Sequence, residues 1–305
     1  MSALRNAHYF RHFLAVVHEG SLTAAAQKVA VTQSALTKSI RKLEQELGTP
    51  LFERLPRGIA LTVYGKTLLP HAQRIVAECR LADLELQAFG VGHSGLLKIG
   101  AGLMFGATMV PAAIAGLYDD YPGVAFQLVS GVTEVNFPLL RAGELDMMFG
   151  LLPPFTTIPE YLTYRPIIEL SSRVVAGTSH PLVARRRSVE AAELANYPWV
   201  VIQHDRELVN NILAALTGTN GRTPTINVEV TSLSSLVRIL RGGTYLSSFA
   251  DAIAAMPDLG LALVPYEHRI VRGQAGVVYH RSLERYGPAI RLVERVELEA
   301  ANMQL

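Results

Sequence analysis

The stretch SLTAAAQKVAVTQSALTKSIRKLEQEL, residues 21–47, predicts two short helices joined by a tight turn. Ser21 and Thr32 can each cap a helix, because a hydroxyl there accepts a hydrogen bond from a backbone N–H that has no helical partner. The opposite face of the second helix is polar and basic, which is typical of a helix-turn-helix whose second helix enters the DNA major groove. Apolar residues recur at helical spacing, at Leu22, Ala25, Ala26 and Val29 in the first helix and at Leu36, Ile40, Leu43 and Leu47 in the second.

The charge of the chain is unevenly distributed. Residues 1–66 hold nine Lys and Arg against four Asp and Glu, whereas the remainder holds 19 against 22. An ordinary helical hairpin with a solvated polar face would show the same helix pattern. The basic first segment favours the other interpretation, in which the N-terminal part meets a polyanion.

A short β-hairpin is predicted after the second helix. Two strands, Leu51-Phe52 and Ile59–Leu61, flank a turn at residues 56–58. Such a wing would place Arg54 and Arg57 against phosphates or the minor groove, although solvated loop arginines would give the same pattern.

A long helix is predicted from Val63 to Phe89, with Thr62 as its cap. Its apolar residues recur at alternating steps of four and three, which indicates a coiled-coil seam with a partner helix. Packing on the chain's own body is the alternative. The predicted seam consists of Leu68, Ala72, Ile75, Cys79, Ala82, Leu86 and Phe89.

From Leu96 onward, predicted strands and helices alternate. The β-α-β-α-β order at the start of this body predicts a parallel sheet with helices on both faces. Among the predicted elements are a helix from Phe105 to Tyr118, a strand over residues 172–178 and a helix from Val189 to Ala195. A cleft at the carboxyl ends of the strands is the expected ligand site.

The predicted fold class is therefore α/β, with an all-α winged helix-turn-helix and a linker helix before a two-lobed α/β body of the periplasmic-binding-protein kind. We expect the DNA-binding domain at residues 1–62 and the linker at 63–95. The body would span 96–305, with lobe I formed by about 96–168 and 269–305 and lobe II by about 169–268.

Composition narrows the class of protein further. With 305 residues, half of them apolar and 18% charged, the chain can form two or three globular domains. No apolar run reaches the roughly 18–20 residues of a membrane span, and residues 1–13 lack a signal-peptide core. One cysteine excludes an internal disulfide, so the sequence predicts a cytoplasmic protein. His8 and His12 are spaced to share a metal, but without a third ligand nearby no metal is expected.

Residues 20–69, GSLTAAAQKVAVTQSALTKSIRKLEQELGTPLFERLPRGIALTVYGKTLL, resemble the LysR-type transcriptional regulators of bacteria almost without a break. The body resembles them more loosely, at LKIGAG, YPGVAFQLVSG, LLRAGELDMMFG and HPL (His180–Leu182). The resemblance implies a homodimer, often a homotetramer, that binds an inverted repeat in double-stranded DNA and senses a small-molecule effector. It also implies a regulator that works with RNA polymerase, as an activator of neighbouring genes or a repressor of its own.

The resemblance assigns base reading to the start of the second helix. There, Gln33 can pair with an adenine edge and Lys38 can donate to guanine. The residues expected to contact DNA are Ser21, Thr23, Thr32, Gln33, Ser34, Thr37, Lys38, Arg41, Lys42, Arg54 and Arg57.

For the effector, the resemblance points to residues that follow strands in the body. Thr133 opens a helix whose free N–H groups suit an anion. The chain departs from the family pattern at Met104, Tyr245 and Ala250, which implies a more apolar or aromatic cleft. The effector, an organic anion or an aromatic metabolite, is expected to contact Gly102, Met104, Phe105, Thr133, Gln203, His204, Ser247, Ser248 and Phe249.

Two other classes of protein also contain α/β bodies of this kind. An enzyme is not expected, because the sequence has no G-x-S-x-G elbow, P-loop, dinucleotide fingerprint or H-E-x-x-H motif. A solute-binding protein with an accessory nucleic-acid-binding hairpin is the remaining alternative, and the predicted absence of a signal peptide argues against it.

Overall fold

The computed structural model describes residues 7–55, 58–87, 95–153, 158–185, 187–203, 206–216, 224–250, 253 and 257–303. The chain divides into two compact units, Met1–Gly90 with Leu139–Leu145, and Val91–Pro138 with Asp146–Leu305. Among the helices in these ranges, none has the length and apolarity needed to cross a membrane.

The first unit is a winged helix-turn-helix followed by a long helix. Its core is formed by side chains from each of the first three helices, among them Phe13, Ala25 and Leu36, which have no exposed surface. Leu47 was predicted to be buried but is 46% exposed, since it lies in the last turn of its helix. The elements are α1 (Ala7–Glu19), α2 (Leu22–Lys28), α3 (Gln33–Leu47), β1 (Phe52–Leu55), β2 (Gly58–Leu61) and α4 (Val63–Gln87).

The remaining elements alternate between strands and helices. In chain order they are β3 (Gly95–Ala101), α5 (Leu103–Ala107), α6 (Met109–Ala115), β4 (Val124–Ser130), α7 (Thr133–Ala142), β5 (Met147–Leu151), β6 (Leu162–Gly177), α8 (Ala191–Leu194), β7 (Pro198–Ile202), α9 (Arg206–Leu216), β8 (Thr225–Val230), α10 (Leu233–Leu240), β9 (Leu246–Ala250), β10 (Leu261–Leu263), β11 (Val271–His280) and α11 (Gly287–Asn302).

Among the described residues, nine strands form one mixed sheet in the order β4-β3-β5-β11-β6-β9-β7-β8, with β10 paired to β6. As predicted, β3 runs parallel to β4 and β5. A second parallel set is formed by β7, β8 and β9. The strands β6 and β11 are antiparallel to their neighbours and join these two halves, so the predicted parallel order holds only within each half.

The pairing of the two connecting strands is irregular at one point. Its register shifts between Ala275 and Gly276, and Gly276 lies opposite Pro166. Proline has no N–H to donate to a sheet, and a Cβ on Gly276 would clash with the carbonyl oxygen of Arg165. A β-bulge therefore marks the place where the chain passes from one half of the sheet to the other.

Three predicted elements differ from the structure. The helix expected from Phe105 to Tyr118 is broken at Thr108, because Pro111 is incompatible with a helix that runs through it and is instead accommodated in the first turn of α6. The strand expected at residues 172–178 is only the end of the 16-residue β6, whose first part contains Pro166. The helix expected from Val189 begins at Ala191, after an extended Glu190 whose N–H donates to the Glu193 carboxylate.

Candidate nucleic-acid interface and ligand cavity

The start of α3 is fixed by local hydrogen bonds. The Thr32 hydroxyl accepts from the Ala35 N–H at 3.2 Å and lies 3.1 Å from the Ser34 hydroxyl. Thr37 donates to the Gln33 carbonyl at 2.8 Å. At the start of α2, Ser21 accepts from the Ala24 N–H at 3.5 Å. Ser21 and Thr32, both predicted to contact DNA, therefore also cap α2 and α3.

The exposed face of α3 carries most of the predicted DNA contacts. Gln33, Ser34, Lys38, Arg41 and Lys42 are exposed along it, beside an exposed Thr32. Lys42 also forms an ion pair with Glu46 on the next turn, at 3.6 Å.

The other predicted contacts lie at the edges of this face. Thr23 of α2 is exposed, whereas Ser21 and Thr37 are half-buried. Arg57 lies outside the described residues, as does the side chain of Arg54.

Glu44 fixes the wing to α3. Its Oε1 atom accepts from the N–H groups of Leu51 and Phe52, at 2.8 and 3.4 Å. The two wing strands pair antiparallel, with Phe52 opposite Leu61. This role is not recognisable in the sequence, because a glutamate on a charged helix does not indicate a partner seven residues later.

His12 joins α1 to α3. Its Nδ1 lies 2.6 Å from the hydroxyl of the buried Ser39, and burial, followed by the charges of His8 and Arg11, lowers the pKa of its imidazole. Within the described ranges there is no group of three His, Cys, Asp or Glu residues that could hold a metal ion. His8 is exposed, and the centroid of its ring lies 5.9 Å from that of His12.

Residues in the first half of the predicted partner seam on α4 pack on their own chain. Ala72 is fully buried in the core of its own unit, and Leu68 and Ile75 pack against that core. Alternating steps of four and three suit any helix contact, including one with α1 of the same chain. Further along, Cys79 is half-buried, Ala82 and Leu86 are exposed, and Phe89 lies outside the described residues.

A cavity of about 120 Å³ lies at the carboxyl ends of β3, β5 and β9. Gln203 lines an adjoining open groove instead, and His204 is outside the described residues. The predicted effector contacts that line the cavity are Gly102, Met104, Phe105, Thr133, Ser247, Ser248 and Phe249.

The cavity has apolar walls and few polar groups. Met104, Phe105 and Phe249 are each at most 4% exposed. Ser248 donates to the Ser172 hydroxyl at 2.8 Å, and this oxygen also accepts from the Val271 N–H at 3.1 Å. Ser172 is not recognisable as a cavity residue from the sequence, because its role depends on the pairing of β6 with β9 and β11.

Two further hydroxyls in the cavity differ in their hydrogen bonding. Thr133 donates to the Leu151 carbonyl at 2.8 Å. The Ser247 hydroxyl is fully buried and has no hydrogen-bond partner among the described residues. Ser247 is thus the polar group that a ligand in this cavity can satisfy.

Charge differs between the cavity and the groove. Among the described lining residues the cavity has one charged side chain, the carboxylate of Glu134 in the first turn of α7. The groove is lined by Arg238 and Arg241, and the Arg241 Nε donates to the Leu259 carbonyl at 2.7 Å. Leu103, Val132 and Ile202 line both spaces, which therefore adjoin one another.

Comparison with known proteins identifies both parts of the chain. A family profile described as "Bacterial regulatory helix-turn-helix protein, lysR family" matches residues 8–66, and one described as "LysR substrate binding domain" matches residues 90–297. A probable hydrogen peroxide-inducible genes activator of Mycobacterium avium is 32% identical over 260 residues, covering 83% of this chain and 81% of that protein. The regulator IlvR of Caulobacter vibrioides is 27% identical over 260 residues, covering 84% and 86%.

Solved structures share the fold. ArgP from Mycobacterium tuberculosis superposes with a TM-score of 0.70 at 23% identity, over 96% of each chain. Full-length CbnR complexed with its target DNA superposes with a TM-score of 0.62 at 18% identity, over 97% of this chain and 100% of that one. The relatives are transcriptional regulators rather than enzymes. The chain therefore belongs to the LysR family of DNA-binding transcriptional regulators, with an N-terminal helix-turn-helix domain and a C-terminal effector-binding domain.

Proposed function

We propose that this regulator reads an inverted-repeat operator through α3 and is switched by a small molecule bound in the cavity. The observation that carries the proposal is the capped start of α3, where Gln33 and Lys38 are both exposed. Side chains at this end of a recognition helix reach base edges, whereas Arg41 further along suits phosphates.

The mechanism we infer requires two copies of the chain. Pairing of two protomers through the distal part of α4 would present two recognition helices to two half-sites. An effector that binds one arrangement of the effector-binding domains more tightly would shift the population toward that arrangement. This shift would change the spacing of the two recognition helices and so the bend of the DNA. A homotetramer, contact with RNA polymerase, control as activator or repressor and a cytoplasmic location belong to the same proposal.

Fluorescence anisotropy of the full chain tests the DNA-reading part. We would compare the DNA upstream of its own gene with random DNA of equal length across a salt series. Tight binding to the upstream fragment that persists near physiological salt supports sequence-specific reading. Equal binding to both fragments, lost steeply with salt, would show that α3 supplies charge alone at that fragment and would contradict the proposed operator.

A further inference from the structure

The size and walls of the cavity limit what can enter it. Its volume is about 120 Å³, and Phe105 and Phe249 contribute aromatic surface to its lining. A buried apolar cavity of about 150 Å³ is enough to bind benzene. The space therefore suits a molecule of about one ring, and aromatic walls favour offset or edge-to-face contact with such a ring.

Among its described residues, the cavity has one buried hydroxyl group without a hydrogen-bond partner. The Ser247 hydroxyl is fully buried and has no partner among the described residues, although buried polar groups in folded proteins are nearly always hydrogen-bonded. The neighbouring hydroxyls of Ser248 and Thr133 already donate within the protein. A ligand with one hydroxyl or carbonyl group would complete the hydrogen bonding of Ser247.

Charge on the ligand is disfavoured. Within the described part of its lining the cavity has no Lys, Arg or His, so an anion would lose its water without gaining a cationic partner. Glu134 adds a like charge, and its place in the first turn of α7 already complements the positive end of that helix. The arginines line the adjoining groove, which holds Arg238 and Arg241, and not the described part of the cavity.

Resting on the proposed function, we propose that the effector is an uncharged, largely apolar molecule of about one ring, which donates to or accepts from the Ser247 hydroxyl. Of the two effector classes expected from the sequence, the organic anion and the aromatic metabolite, the cavity favours the second. Ser247 is then the residue that distinguishes effectors with a polar group from plain hydrocarbons.

Calorimetric titration of the full chain with three probes of similar size tests this. Benzyl alcohol carries one hydroxyl group, toluene carries none, and benzoate carries a charge. We expect benzyl alcohol to bind more tightly than toluene, and benzoate to bind at least about 100-fold more weakly than benzyl alcohol. Ser247→Ala should raise the Kd for benzyl alcohol by about three- to tenfold and leave that for toluene unchanged, since it removes one hydrogen bond.

Two further variants serve as controls. Ser188→Ala changes an exposed serine outside the cavity and should leave all three affinities unchanged. Thermal unfolding without ligand checks the fold of Ser247→Ala, whose midpoint should equal or exceed that of the parent because an unpartnered hydroxyl is lost. Arg238→Ala should have no effect on benzyl alcohol.

Three results would overturn the inference. The first is tighter binding of benzoate than of benzyl alcohol, with a loss in Arg238→Ala, which would place an anionic effector in the groove. The second is equal weakening of toluene and benzyl alcohol by Ser247→Ala. The third is no binding of benzyl alcohol by protein that still distinguishes the upstream DNA from random DNA. DNA recognition is measured separately in each case, so the anisotropy result alone tests the proposed regulator function.

Discussion

At the scale of single residues, Gln33 and Arg41 should affect DNA binding in different ways. Gln33→Ala removes a side chain that can pair with a base edge, so we expect a loss of about 1–3 kcal/mol on operator DNA and little change on random DNA. Arg41→Ala removes a charge suited to phosphate, so affinity should fall on both DNAs and the salt slope should decrease by about one. Anisotropy on both DNAs across a salt series measures these effects.

Gln45→Ala is the matched control, because Gln45 is an exposed residue on the same helix outside the predicted contacts. Its affinities should equal those of the parent chain. Equal losses by Gln33→Ala on operator and random DNA would contradict its role in base reading.

Stability should depend on pH through His180. This side chain is 1% exposed, and its Nδ1 accepts from the Leu182 N–H at 3.1 Å. Burial lowers the pKa of the imidazole below its ordinary value, against a smaller opposing effect of the Thr244 backbone. As pH falls through the ordinary value of 6.5, the unfolded chain takes up a proton that the folded chain does not, so the free energy of unfolding should fall.

Urea unfolding between about pH 8 and pH 5 measures this effect. A His180→Gln variant should lose part of the pH dependence, whereas His268→Gln, which changes an exposed histidine, should keep all of it. The same slope in His180→Gln and the parent would show that His180 is not responsible.

Residue roles were predictable where the partner is close in the chain. Ser21, Thr32 and Thr62 cap helices as expected, because each bonds an N–H three residues away. Glu44 and Ser39 were not predictable, since their partners are seven and 27 residues away and are brought near only by tertiary structure.

At the scale of elements, the start of α4 depends on a glycine. A Cβ on Gly65 would clash with the carbonyl oxygen of Leu51 and lie 2.7 Å from Cδ2 of Leu61. Backbone cannot move aside as a side chain can, so Gly65→Ala should destabilise the first unit by about 1–3 kcal/mol despite the better helix propensity of alanine. Urea unfolding followed by circular dichroism measures this change.

Lys66→Ala provides the comparison for that measurement, because it alters the next, exposed residue of the same helix. We expect a change within about 0.5 kcal/mol. If both variants unfolded at the same urea concentration, the close contact of Gly65 with Leu51 would not affect the free energy of unfolding.

The order of the elements followed from periodicity, but several of their lengths did not. Pro111 divides one predicted helix into two. Because of Pro166, the first part of β6 was not predicted as a strand. In a sequence pattern, each proline predicts the end of an element. A strand nevertheless tolerates proline beside a bulge, and a helix tolerates proline in its first turn. Pro166 lies in β6 opposite Gly276, which is more than 100 residues away in the sequence.

At the scale of the whole molecule, dimerisation should depend on the distal part of α4. Leu86 is 68% exposed, whereas Ala72 on the same predicted seam is already covered by its own chain. Leu86→Lys should therefore shift the protein toward monomer in sedimentation velocity experiments, because a charge would have to lose its water in the seam.

Leu298→Lys changes a leucine of similar exposure, 60%, on α11 and should leave the sedimentation unchanged. A dimer that withstands Leu86→Lys would exclude this part of α4 as the seam.

The sequence was informative about the family and the two-lobed body, and less so about how the halves of the sheet are joined. Helix-turn-helix residues are contiguous, so the pattern of residues 21–47 was sufficient to predict that part. The cavity combines residues from 102 to 271, and the lack of cations in its described lining depends on which strand ends meet. Met104, where the chain departs from the family pattern, was the signal in the sequence for an apolar cavity.

The neighbouring positions of β6 and β11 bear on how such a regulator can diversify. Residues 173–270 include β7 to β10 of this sheet and connect to the rest of the body through β6 and β11, where Ser172 lies opposite Val271 at a strand spacing of about 5 Å. This segment is in effect an insertion with its two ends side by side, the arrangement most easily grafted from one protein into another. It contributes one wall of the cavity, including Ser247 and Phe249, and none of the residues of α3. Under the proposed function, exchange of this one segment would change the molecule that is sensed and leave the DNA-reading helix unaltered.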